Sequence, residues 1–304
     1  MARPIVLYEN LRTMVYVPFY LAIARGDWAA EGIEVRCQTS PATAETAQGL
    51  IDGRVDVSWG GPMRVMLHHD ADPDCALVCF AQVVARDPFI LVGRERKRRF
   101  RFSDLTGRRV AVATEVPTPW MTFQDDLARA GIDPAALDRA ADRPMAENLA
   151  ALEAGEVDVI QVFEPYADRA VRSGVGHLWH RFATRGDIAY TSFYTTRRFA
   201  EEERAVCRAL VRGIARAQQA LRSETPMAIA RTIAGFFPET PAAELARVIT
   251  GYRASGLWAE TPALPATAFG RLKAALLSGG LIERDIPYQR VVDAELSSAF
   301  DTIE

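Results

Sequence analysis

The pattern L-x-x-G-x-V-D-V occurs twice in this chain, as LIDGRVDV from Leu50 to Val57 and as LEAGEVDV from Leu152 to Val159, with one offset of 102 residues. In each copy an apolar helical stretch ends near a glycine, Gly53 or Gly155, that can take the left-handed cap, and a β-branched strand follows. The upstream segments correspond as well. Strand Ile5–Tyr8, a helix from Pro18 to Ala30 and strand Ile33–Cys37 precede the first copy. Strand Arg109–Ala113, a helix from Pro119 to Ala130, an extended piece at Leu137–Ala141 and a helix from Met145 to Ala154 surround the second. Strands alternating with helices of this length imply right-handed βαβ crossovers. The expected fold class is therefore α/β with two lobes, each a mostly parallel sheet flanked by helices. Apolar stripes through Ala205–Leu221, Met227–Phe236, Ala242–Tyr252 and Ala266–Leu277 predict a helical C-terminal region.

A length of 304 residues with 49% hydrophobic side chains can fill two cores. The expected division is residues 1–84 with 192–304 as one lobe and 85–191 as the other, with Gln82–Pro88 and Tyr190–Tyr194 as hinge strands. The net charge of −3 argues against a nucleic-acid partner, and the basic run Arg94–Arg101 (RERKRRFR) reads as a solvated loop. No stretch approaches the ~20 apolar residues of a membrane span. The N-terminal Met-Ala-Arg-Pro runs straight into the first strand, which predicts a cytoplasmic chain as written. A periplasmic location is expected if an export signal was trimmed or lies outside these residues.

Ligands of open α/β sheets bind beyond the carboxyl ends of strands, so the strand-end loops are the candidate site. Four of them enter helices through proline, at Pro18, Pro62, Pro119 and Pro165, and helix N-termini favour anions. Thr118 is the expected N-cap of the helix that follows. Against an anion, the same loops carry Glu9, Glu115 and Glu164, with Arg12 and Arg64 as their evident cations. Tyr16, Trp59, Trp120, Phe163 and Tyr190 offer aromatic surface, and the equivalent places of Trp59 and Trp120 suggest a sandwiched ring. Gly60 and Gly61 would admit close backbone approach, or simply form a tight turn. No nucleophile elbow, H-E-x-x-H or phosphate-binding loop is present, and Cys75 with Cys79 is a lone C-x-x-x-C, so neither a catalytic residue, a metal nor a cofactor is expected.

The segment Val17–Val35 (VPFYLAIARGDWAAEGIEV), the G-x-V-D-V strand and Asp104–Val110 (DLTGRRV) together resemble the type II periplasmic-binding-protein fold. The branch it resembles is that of thiamine-pyrimidine, nitrate, sulfonate and taurine binders. The resemblance implies a ligand receptor delivering cargo to an ABC permease. Its ligand loops, transferred by position, hold Asn10, Tyr16, Trp59, Gly60, Gly61, Thr114, Glu115, Thr118, Trp120, Glu164, Tyr190 and Thr191. A small nitrogen-containing aromatic, such as a thiamine-precursor pyrimidine, is the expected ligand. The alternatives are a sulfonate, nitrate or carboxylate, or a cytosolic lyase or decarboxylase reaction on the same fold. The lysine, histidine and cysteine cluster of the pyrimidine-synthase branch are missing around Gly60–Arg64 and after Tyr190. A closing cleft works in a monomer, which is the expected state.

Overall fold

The computed structural model describes residues 3–300. The chain forms two compact units, one of Met1–Arg86, Asp187–Lys273 and Ile282–Glu304, the other of Asp87–Gly186 and Ala274–Leu281. Through the first crossing the elements run β1 (Ile5–Glu9), α1 (Val17–Arg25), β2 (Val35–Thr39), α2 (Glu45–Ile51), β3 (Val57–Gly60), α3 (Pro62–Ala71) and β4 (Leu77–Val84). The second unit holds β5 (Ile90–Gly93), β6 (Arg109–Ala111), α4 (Thr118–Arg129), β7 (Asp138–Arg139), α5 (Met145–Ala154), β8 (Val159–Val162), α6 (Tyr166–Ser173) and β9 (His177–Arg181). Back in the first unit come β10 (Thr191–Thr196), α7 (Arg197–Glu202), α8 (Arg204–Ser223), α9 (Pro226–Ile233) and α10 (Ala242–Ala254), and then α11 (Ala266–Ser278).

The expected α/β class with a mostly parallel sheet in each unit stands. The strand orders are β2-β1-β3-β10-β4 and β7-β6-β8-β5-β9, the same permutation in each unit. β1 pairs in parallel with β2 and β3, and β6 with β7 and β8. β10 and β5 are antiparallel to both of their neighbours, so each sheet is mixed, with four strands running one way and a single strand reversed. Each of these two strands is the first element after the chain crosses from one unit to the other, and it enters its sheet opposite in direction to the local βαβ strands. Tyr190–Tyr194 lies at and within β10, and the crossings fall after Arg86, inside the expected Gln82–Pro88, and after Gly186.

The repeated octapeptide explains itself in the structure. Gly53 and Gly155 follow their helices with φ of 68° and 77°, a region that a side chain on Cβ disfavours. Leu50, Val55 and Val57, like Leu152, Val157 and Val159, are buried. The aspartate between the valines accepts the backbone N–H of the neighbouring strand: Val6 N to Asp56 Oδ2 at 2.8 Å, and Arg109 N to Asp158 Oδ2 at 2.9 Å. Asp56 N and Asp158 N return hydrogen bonds to Val6 O and Arg109 O, both at 2.9 Å. One side chain thus fixes the register of β1 against β3, and its counterpart that of β6 against β8.

Candidate functional site

In the first unit the carboxyl ends of β1 and β3 and the beginning of β10 bring seven of the predicted residues together. Asn10 Nδ2 donates to Tyr16 Oη at 3.1 Å, and the Thr191 hydroxyl is the second side-chain partner of that phenol. The Tyr16 and Trp59 rings meet edge to face at 6.2 Å. Ser192 stands opposite Gly60 in the sheet register. A Cβ on Gly60 would lie 2.9 Å from Tyr194 Oη and 3.6 Å from Asn10 Cβ, so glycine is required there by side chains closing over the backbone. Gly61 is the N-cap of α3, and Tyr190, 7% exposed, donates its backbone N–H to Val84 O at 3.2 Å.

Trp59 is fully buried and does not present an open ring face. Phe19 stacks on it at 4.2 Å, and Tyr16 and Tyr20 meet its edges. What it retains is polar: its buried Nε1 has no hydrogen-bond partner, nor do Asn10 Oδ1 and Arg64 Nη2.

Arg64 was named in the sequence only as a possible counter-ion and was not among the expected ligand residues. It sits in the first turn of α3, 7% exposed, and has no ion-pair partner among the described residues. Burial pulls its guanidinium below the ordinary arginine value, and the groups facing it are the phenols of Tyr194 and Tyr16. Burial holds both phenols above their usual range, so neither supplies negative charge near neutral pH. The positive end of the α3 dipole adds to the guanidinium rather than opposing it. The result is a buried positive field with unpaired donors, which suits an anion.

The carboxylate that might have cancelled this field is already committed. Glu9, with 0% exposure, accepts both Arg12 Nε contacts at 2.9 and 3.0 Å and the Tyr20 hydroxyl at 2.9 Å, with Thr39 Oγ1 as a further donor. Arg12 is in turn held by Glu9 and the faces of Tyr20 and Phe236.

The second unit holds the other predicted residues, and there the polar groups are engaged. Glu115 Oε1 accepts Met145 N at 2.7 Å and so caps α5, while its other oxygen takes Thr114 N at 3.2 Å. Thr114 Oγ1 donates to Arg143 O at 3.2 Å. Glu164 Oε2 accepts Asp168 N in the first turn of α6 at 2.7 Å, with Arg181 at 3.8 Å. Burial raises the Glu164 carboxyl above its usual range. Thr118 is the first residue of α4 and not its cap, because the N-cap is Pro117. Trp120 is half-buried, edge-on to Phe123 at 5.8 Å, and the Arg139 guanidinium lies 4.8 Å from its ring centroid.

The model of the NMT1-like family matches residues 11–236 of this chain, which is most of its length and part of each unit. The chain belongs to the NMT1-like family. A curated relative, YtlA of Bacillus subtilis (strain 168), provisionally named a binding protein, is 23% identical over 95% of this chain and 87% of its own length. Among solved structures, the periplasmic aliphatic sulphonate binding protein SsuA of Escherichia coli superposes with a TM-score of 0.78 at 16% identity, covering 98% of this chain and 99% of that one. The desulfurization enzyme DSZB superposes at 0.69 with 14% identity, over 97% and 98%. At these identities the likeness is one of fold: this NMT1-like chain has the type II periplasmic-binding-protein architecture expected from its motifs. Among the described residues no helix is long and apolar enough to cross a membrane, and no cluster of three or more metal-ligating side chains occurs.

Proposed function

We propose that this chain is a small-molecule binding protein of the ABC-transporter type whose ligand carries a negative charge held at Arg64. The family and fold support the receptor class. One observation carries the charge: a guanidinium buried to 7% exposure without a carboxylate partner, beside the unpartnered Trp59 Nε1. Nothing in a binding-free fold requires an uncompensated buried cation, and an anionic group would make charge-assisted hydrogen bonds to it. In this reading the ligand is captured for an ABC permease, outside the cytoplasmic membrane, and a monomer suffices.

A second reading, the thiamine-precursor pyrimidine, is favoured by a different pair. Asn10 Oδ1 is a free buried acceptor and Trp59 Nε1 a free buried donor, the complement of an amino group beside a ring nitrogen. Thermal denaturation in the presence of alkanesulfonates, nitrate, aromatic carboxylates and aminopyrimidines separates the two. Anions should raise the melting temperature, and Arg64→Gln should weaken their binding by roughly 10- to 100-fold, the value of a charge-assisted contact. Stabilisation by uncharged pyrimidines alone would overturn the anion reading in favour of the second. Recovery of the ligand with unchanged mass after long incubation is expected of a receptor, and a mass change would replace it with an enzyme on this fold.

A further inference from the structure

The basic run in the loop after β5 is more ordered than a solvated loop has to be. Residues 94–109 carry eight arginine and lysine side chains against two acids, a local net charge of +6 in a chain whose total is −3, so the remainder carries −9. Both acids are already paired, Glu95 with Arg108 at 2.7 Å and Asp104 with Lys97 at 3.0 Å. Arg96, Arg98 and Arg99 are exposed and take part in no ion pair among the described residues.

The backbone beneath these arginines is fastened at four points. Trp179 Nε1 donates to Glu95 O at 2.7 Å, and its ring lies so close to Gly93 that a Cβ there would be 2.2 Å away. Lys97 Nζ stands 5.1 Å from the Trp179 ring centroid. Phe100 packs among Phe102 at 5.3 Å, His180 at 5.3 Å and Trp179 at 5.9 Å. Arg101 N donates to Asp104 Oδ2 at 2.9 Å. The apolar side chains of the loop therefore turn inward as anchors, and the arginines are what it presents.

We infer that this anchored arginine loop docks the second unit on an anionic lipid surface. A protein partner would be expected to meet a buried aromatic or aliphatic hot spot, and the loop offers none outward. A dense, unpaired cationic patch without an apolar centre matches smeared headgroup charge, where each arginine near the surface contributes about 1 kcal/mol, or fivefold in partitioning. The remainder, at −9 net, is repelled on balance by the same surface, which favours an approach through this loop.

Co-sedimentation of the full chain with phosphatidylcholine vesicles, with and without phosphatidylglycerol, tests the inference. Binding is expected to the phosphatidylglycerol vesicles alone and to fall steeply as salt rises. Replacing Arg96, Arg98 and Arg99 together by glutamine should lower it about a hundredfold, with an unchanged melting temperature and unchanged ligand stabilisation. The inference is overturned if the wild-type chain ignores phosphatidylglycerol, if the triple variant binds as well, or if binding is insensitive to salt. Binding to soluble heparin but to neither vesicle would reassign the loop to a soluble polyanion.

Discussion

Trp59 at the end of β3 and Gln161 in β8 occupy the same place in the two copies of the repeat, one offset of 102 apart, and they do opposite things. Gln161 is fully buried and closes its surroundings, its Oε1 taking Ala113 N at 3.3 Å and its Nε2 donating to Pro119 O at 3.1 Å. Trp59 buries as much apolar surface as any residue in its unit and leaves its one polar atom unpaired. The neighbours repeat the contrast. Glu115 and Glu164 cap helices in the second unit, whereas Arg64 and Asn10 in the first keep unsatisfied atoms. Equivalent backbone positions have thus been filled once by a side chain whose polar atoms are paired and once by one whose polar atom is not. Buried polar atoms are nearly always paired, and the cluster of exceptions around Trp59, Asn10 and Arg64 is what the proposed ligand would satisfy.

This contrast can be broken by mutation. Trp59→Ala should have the largest effect, destabilising by about 3–5 kcal/mol in chemical denaturation because a fully buried indole stacked on Phe19 leaves a cavity. Gln161→Ala should cost about 1–3 kcal/mol by stranding Ala113 N and Pro119 O. If Trp59→Ala proved the milder change, the indole would be no part of the core. Arg64→Met should go the other way: without ligand the variant gains about 1 kcal/mol, since an uncompensated charge has left the interior, and it loses stabilisation by anions. A destabilised apo variant would mean that Arg64 has a structural partner.

The smallest effect concerns pH. Burial raises the Glu164 carboxyl in the folded state, so its contribution to stability is present below the unfolded carboxylate value and is lost as pH rises through the folded one. Glu164→Gln should therefore be more stable than wild type at neutral pH, with the difference vanishing as pH falls through the carboxylate range. An advantage independent of pH would assign the effect to packing instead.

The architecture was largely readable from local signals. The repeat, its capping glycines and the helical stripes fix element type and order, and the helix expected at Met145–Ala154 has those bounds in the structure. Sheet pairing was not readable, because β10 and β5 join their sheets from the far side of a crossing and no local pattern tells their direction. Among the site residues, Asn10, Tyr16, Gly60 and Thr191 converge as expected, since all lie at or beside strand ends. The burial of Trp59 could not be seen, because Phe19 and Tyr20 on α1 and Tyr16 just before it arrive from about forty residues away. Nor could the isolation of Arg64. A missing counter-ion is a property of three-dimensional surroundings, and in the sequence Glu9 looked available until Arg12, Tyr20 and Thr39 claimed it.

The aspartate clamps carry a kinetic corollary. Val6 to Asp56 closes a loop of 50 residues and Arg109 to Asp158 one of 49, so the entropy lost in forming the first long-range strand pair is nearly the same in both units. Neither unit has a head start from chain length. Which one nucleates first is left to what lies inside each loop, and the two halves of the repeat become competing starting points on a single folding landscape.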